Sequence, residues 1–277
     1  MNNTPIPPED YLEPRCLLCD EPVGSEKIRS IPQQRVIEKM DEYMSRRDYA
    51  GAERHLLYWL EEAKLDHDDR GRLLVCNELV GHFRKTGKKD EAFSYAEQAL
   101  ELLKTLHMEQ SVSAGTTYVN AATAYSAFGE SVRALALFRQ AKALYESFPQ
   151  TRPELLGGLY NNMALDYAAL GNYDEAYALY DKAMAVMQSV PGGGLEQAIT
   201  CLNRADAVTA ELGAEQAEPR VAALVEQAYE LLKHADAPHD GYYAFVCEKC
   251  APSFSYYGYF AAADELKKEA QRIYERS

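Results

Sequence analysis

A chain of 277 residues with 47% apolar content can bury a large core, as one or two ordinary domains or as one long repeat array. Its 29 basic residues against 43 acidic ones leave a formal net charge of −14. That argues against nucleic acid or an anionic membrane, both of which select clusters of Lys and Arg, and favours a neutral or basic partner. No uninterrupted apolar run approaches the roughly 18 residues that a membrane helix needs.

Residues 1–32 hold six of the twelve prolines, so an extended or turn-rich tail is expected there. The opening MNNTPIPPEDYLEP has neither a basic n-region nor an apolar h-region, and six cysteines in a chain this long do not suit a secreted disulfide framework. A cytoplasmic protein with reduced thiols is the expectation. Cys16 and Cys19, in CLLCDEP, resemble half of a zinc knuckle, but the nearest histidine is His55 and no second half lies close by. Packed or idle thiols, a zinc shared with a second chain and a redox pair all remain open, and no metal site follows. The tail could also lie in a groove of its own chain as a built-in ligand.

From residue 33 to 277 one pattern returns six times. A weak first copy has Arg47 in the turn and Ala52 in the following helix. The second reads CNELVGHFRKTGKKDEAFSYAEQAL from Cys76, the third YVNAATAYSAFGESVRALALFRQAK from Tyr118, and the fourth YNNMALDYAALGNYDEAYALYDKAM from Tyr160. Their turn glycines, Gly87, Gly129 and Gly171, and the next, Gly213, follow one another at an interval of 42 residues. Apolar residues take helical spacing on both sides of each glycine, as at Tyr160, Met163, Ala164 and Tyr167. Glycine suits the left-handed conformation that ends the first helix, and alanine five residues later lets the second approach closely. In the fifth copy Val221 falls in the alanine slot, if the turn AEQAEP carries three extra residues. Gly192–Gly194, after Pro191, lacks the Lys-Ser/Thr of a phosphate loop and reads as a linker. In the sixth copy, aligned on Gly258, Cys247 and Cys250 occupy the first and second core slots of the helix. Their spacing is thus the helix period, and the thiols pack as small apolar groups. Cys76 takes the same first slot in copy two, and Cys201 lies one position before it in copy five. Phe254 and Phe260 fit core slots, and the tyrosines around them, too many to bury, suit inter-repeat packing or a contact patch for self-association. The last helix, ADELKKEAQRIYERS, has a charged outer face and reads as a terminal cap.

The wording aromatic-x-x-[LA]-A-x-x-Y-x-x-x-G-x-Y-x-x-A-x-x-x-[FY]-x-x-A resembles the tetratricopeptide repeat, in the long 42-residue form of kinesin light chains. The resemblance implies an all-α fold: a right-handed α-α superhelical solenoid of about six helix pairs with a C-terminal capping helix. It also implies a non-enzymatic scaffold that binds a protein or peptide segment in its concave groove. Bacterial pheromone receptors use repeats of this type too, which makes a peptide-responsive regulator the alternative. A zinc protein acting through Cys16 and Cys19 is a third reading.

At about 100° per residue, the two positions after the first core slot flank the solvent face of the first helix. They hold Asn77 and Glu78, Val119 and Asn120, Asn161 and Asn162, and Asn203 and Arg204. Stacked asparagines can both donate to and accept from a peptide backbone. In the resembling families such asparagines and charged residues hold extended peptides, which makes Asn77, Asn120, Asn161, Asn162, Asn203 and Arg204 candidates by resemblance. Arg84, with Lys85 beside it, falls near the same wall and could meet a carboxylate. The rival reading is that these amides cap helices, solvate a face or bond to the neighbouring repeat. No catalytic arrangement, metal set or cofactor motif is legible, and the expected partner is an extended, neutral or basic segment.

Overall fold

The computed structural model describes residues 30–276, and within them the chain forms twelve helices and no strand. They come in pairs: α1 (Gln33–Ser45) with α2 (Tyr49–Leu65), α3 (Asp69–Lys85) with α4 (Lys89–Thr105), and α5 (Val112–Ala127) with α6 (Ser131–Ser147). Three more follow: α7 (Pro153–Ala169) with α8 (Tyr173–Gln188), α9 (Gly194–Leu212) with α10 (Ala214–Lys233), and α11 (Gly241–Tyr256) with α12 (Phe260–Tyr274). The all-α solenoid of six helix pairs is therefore the fold, and α12, whose Asp264, Glu265, Lys267 and Lys268 face solvent, both completes the sixth pair and caps the array. The tail as far as residue 29, with Cys16 and Cys19, lies outside the described residues.

The turn inside each pair has one geometry in five of six copies. The residue in the glycine slot adopts positive φ: Gly87 at 74°, Gly129 at 83°, Gly171 at 77° and Gly258 at 85°. The next residue donates its N–H to a carbonyl of the finished helix, as Lys88 does to Phe83 and Asn172 to Tyr167, both at 2.9 Å. In the first copy Arg47 takes the slot at φ 56° and Asp48 donates to Tyr43 at 2.9 Å, so a non-glycine residue is held left-handed to preserve the same turn.

The fifth copy differs from the sequence expectation. Gly213, at φ 77° and ψ 157°, passes directly into α10, so AEQAEP forms the first turns of that helix and no extra loop exists. Ala217, fully buried, takes the alanine slot instead of Val221. The expectation failed because Pro219 looks like a loop residue, whereas it lies inside α10 beyond the first turn, where the helix forgoes one backbone hydrogen bond to Glu215 to accommodate it. With Ala217 in place, 16 residues separate first core slot from alanine in every copy: Val36 and Ala52, Cys76 and Ala92, Tyr118 and Ala134, Tyr160 and Ala176, Cys201 and Ala217, Cys247 and Ala263. All twelve are buried. Cys201 thus sits in the first slot itself. The additional residues of this copy are spent on the 20-residue α10 and the link to α11.

Each first helix packs against its own partner and against the helices of the next repeat, so burial is continuous. Two groups of buried residues result, one running from Ile31 to Ala183 and taking in Ala207 of α9, the other from Leu195 to Ile273, with Tyr177 packed against both. Full burial of a Leu or Phe stabilises by about 1.5–3 kcal/mol. Phe254 is fully buried, but Phe260, at 67% exposure, is not a core residue: it begins α12 and points outward before the helix reaches its neighbour.

Candidate functional site

Cys247 and Cys250 are almost wholly buried among neighbouring helices. Burial pushes their thiols up to about 11 and about 12, so they carry no thiolate and behave as small apolar groups. Among the described residues no group of three or more His, Cys, Asp or Glu is placed to hold a metal ion.

The first helices form the tighter wall of the array. Helix α3 touches α5, α5 touches α7, α7 touches α9 and α9 touches α11, while no second helix meets the next second helix to a similar extent. Such splaying puts the odd-numbered helices on the concave side. Charged groups on that wall behave accordingly. Arg84 and Asp206 are exposed, yet surrounding protein holds the guanidinium pKa down and pushes the carboxyl up. Glu78 is raised by the same desolvation, with Asp41 adding a like charge. A side chain that is open to solvent and still desolvated is what concavity produces.

The candidate asparagines divide into two groups. Asn77 donates through Nδ2 to Leu73 O and to Thr117 Oγ1, each at 3.0 Å, and its Oδ1 accepts from Asn120 Nδ2 at 3.1 Å. Asn161 is buried and its Oδ1 accepts from Asn203 Nδ2 at 3.1 Å. In both cases an asparagine one position after the first core slot is held by an asparagine from the following repeat. These amides join neighbouring first helices, as one of the two sequence readings expected. Asn162, by contrast, keeps its amide unengaged among the described residues, and Arg84 faces no carboxylate. Arg204 turns toward α8, pairing with Asp181 at 2.6 Å and lying over the Tyr177 ring. The one-residue register of the fifth copy explains that placement, because Arg204 occupies the second core slot and not the groove row.

Sequence reasoning missed the apolar part of the wall. Leu165, Phe245 and Tyr242 are exposed on first helices, and Tyr242 and Phe245 stack at 6.3 Å. Alternation at helical spacing signals core, and these residues lie off that pattern, so only the surplus of Tyr and Phe near the chain end hinted at them. At the other end a cleft of about 410 Å³ opens between α3 and α5, lined by Leu74, Asn77, Glu78, Thr116 and Asn120. Together these groups can accommodate an extended chain: amides for its backbone, a cation for a carboxylate and apolar contacts for alternate side chains.

The family model described as tetratricopeptide repeat matches residues 70–147 and 155–219, just over half the chain. No curated protein matches. Among solved structures, NprR in complex with its cognate peptide NprX is similar at a TM-score of 0.58 and 16% identity, covering 86% of this chain and 66% of that one. A Rap protein complexed with Competence and Sporulation Factor is similar at 0.56 and 16%, covering 88% and 64%. A variant crystal structure of kinesin light chain nearly identical TPR-like repeats from Podosopora anserina gives 0.50 and 20%, covering 74% and 97%. This chain thus spans about two thirds of the first two.

Proposed function

Because the chain belongs to the tetratricopeptide repeat family, we propose that it is a non-enzymatic module that binds an extended protein or peptide segment along its concave wall. The observation that carries this reading is the pair of inner-wall polar groups left without a partner among the described residues, the Asn162 amide and the desolvated Arg84 guanidinium, beside the exposed Leu165 and Phe245. Folding gains nothing from holding a cation in a desolvated position without a carboxylate, whereas a ligand carboxylate meeting it there would. Asn120, whose Oδ1 accepts no hydrogen bond among the described residues, Asn162 and Arg84 are the proposed contacts. Asn77, Asn161 and Asn203 hold the wall in shape, and Arg204 supports it from α8. The net charge of −14 supports a neutral or basic segment, with its acidic group confined to the Arg84 position. A cytoplasmic location goes with this reading, and no described helix is long and apolar enough to cross a membrane.

The test is a peptide selected from a random library against the full chain. Its affinity should fall at least tenfold for Arg84→Ala combined with Asn162→Ala, with an unchanged melting temperature. Equal affinity for that variant would refute the groove. The second reading, a peptide-responsive regulator, is favoured by the likeness to NprR, whose structure holds its cognate peptide, and to Rap, whose structure holds Competence and Sporulation Factor. It differs in requiring that the bound peptide change the shape or the partner of the array, which scattering with and without peptide would register.

A further inference from the structure

We propose that Arg47 and Glu248 latch the two ends of the array together, closing the six repeats into a ring around the concave wall. Their Nη2 and Oε1 atoms lie 2.6 Å apart although 201 residues separate them in the chain. The Arg47 guanidinium also lies over the Tyr274 ring, 5.2 Å from its centroid. A second bridge runs beside it: Lys85 Nζ stands 5.4 Å from the Tyr49 ring and 5.9 Å from the Phe245 ring, joining the second repeat to the sixth. Between the ends remains a cleft of about 490 Å³, lined by Ser45, Arg46, Lys267, Gln271 and Tyr274 among others.

Two features distinguish this from a chance surface ion pair. First, Arg47 occupies the slot that the other five copies give to glycine, and it is held at φ 56°. His67 and His107 take the same conformation, at φ 55° and 53°, in the turns after α2 and α4, so the backbone is what such a turn requires; what sets Arg47 apart is the side chain that it adds where a glycine has none. Its task here is the bridge to the far end. Second, Glu248 stands in the same row as Asn77 and Asn161, one position after the first core slot. Both of those accept a hydrogen bond from the following repeat. The sixth repeat has no successor among the described residues, and Glu248 accepts from the first repeat instead. Glu248 thus has an acceptor role like that of the two asparagines, with its donor drawn from the turn of the first repeat and not from a first helix.

The consequence deepens the proposed function and rests on it: a closed ring admits an extended segment and excludes a folded domain, and uptake proceeds through opening of the latch. Both side chains are about half exposed, so salt screens the pair and opening is set by ionic strength. The latch is tested without any ligand, by the spin-label distance between Ser45→Cys and Gln271→Cys in the full chain carrying Cys16→Ser and Cys19→Ser. The expected result is one short distance at low salt that lengthens and broadens in 0.5 M salt. Arg47→Gly, which places the slot's usual residue, should give the long, salt-insensitive distribution with unchanged helix content. Glu248→Arg should do the same, and the swap Arg47→Glu with Glu248→Arg should restore the short distance. A short distance that survives Arg47→Gly, or a wild-type distance indifferent to salt, overturns the latch. Failure of peptide selection would count against the binding wall alone.

Discussion

His82 and Asp166 stand six residues after the first core slot in α3 and α7, and both are buried polar groups whose titration couples to folding. Burial holds the His82 pKa below its usual value, against an opposing hydrogen bond that the ring donates to Glu53, so the folded protein keeps the ring neutral. The unfolded chain takes up that proton near pH 6.5. Stability from this residue is therefore present above about pH 6.5 and lost as pH falls. His82→Leu should flatten the decline in melting temperature between pH 7 and 5, and an unchanged slope would contradict the assignment. Asp166 has the opposite sign. Burial raises its carboxyl while Ser131 and Ser126 partly oppose, so stability is lost as pH rises through the folded value. Asp166→Asn should raise the melting temperature at pH 7 and leave it nearly unchanged at pH 3; a loss at pH 7 would show that the ionised form is favoured. The thiols add a third test. Cys76 and Cys201 are pushed up to about 11, like Cys247, so native protein lacking Cys16 and Cys19 should not react with a thiol reagent at pH 8. Four equivalents should appear only on unfolding, and fast native labelling would refute their burial.

At the scale of the helix pair, the alanine slot sets how closely two helices approach. Ala134 is fully buried against its partner helix. Ala134→Leu should cost about 1–3 kcal/mol through overpacking, read as a lowered denaturation midpoint, whereas a neutral result would mean the pair can spread. This level of organisation was largely legible in the chain. Glycine and alanine recur at fixed intervals because a left-handed turn and a close helix crossing each demand one residue type. Legibility failed where another residue met the same demand by other means. Arg47 fills a glycine slot in the left-handed conformation, and Pro219 sits inside a helix where its neighbours suggest a loop. The register of the fifth copy then slipped by one, which moved Arg204 from the groove to a pair with Asp181. Which asparagines are free was not legible either, since the bonds from Asn120 to Asn77 and from Asn203 to Asn161 depend on the offset between repeats.

For the whole molecule, the two groups of buried residues meet between α8 and α9, with Tyr177 packed against both. Solenoids transmit stability from neighbour to neighbour. Phe254→Ala should therefore lower amide protection in α9–α12 before α3–α6, at a cost of about 3–5 kcal/mol; equal loss throughout would mean one cooperative unit. The end-to-end approach of Arg47 and Glu248 belongs to this scale and was invisible in the sequence, because no local pattern connects them. The account as a whole depends on the inner wall being where a ligand lies. The direct measurement replaces Leu165, on the first-helix wall, or Val132, exposed on α6, with a photo-crosslinking residue and maps the adducts of a selected peptide. The account predicts crosslinks from position 165 and none from position 132; crosslinks from position 132 alone would contradict it.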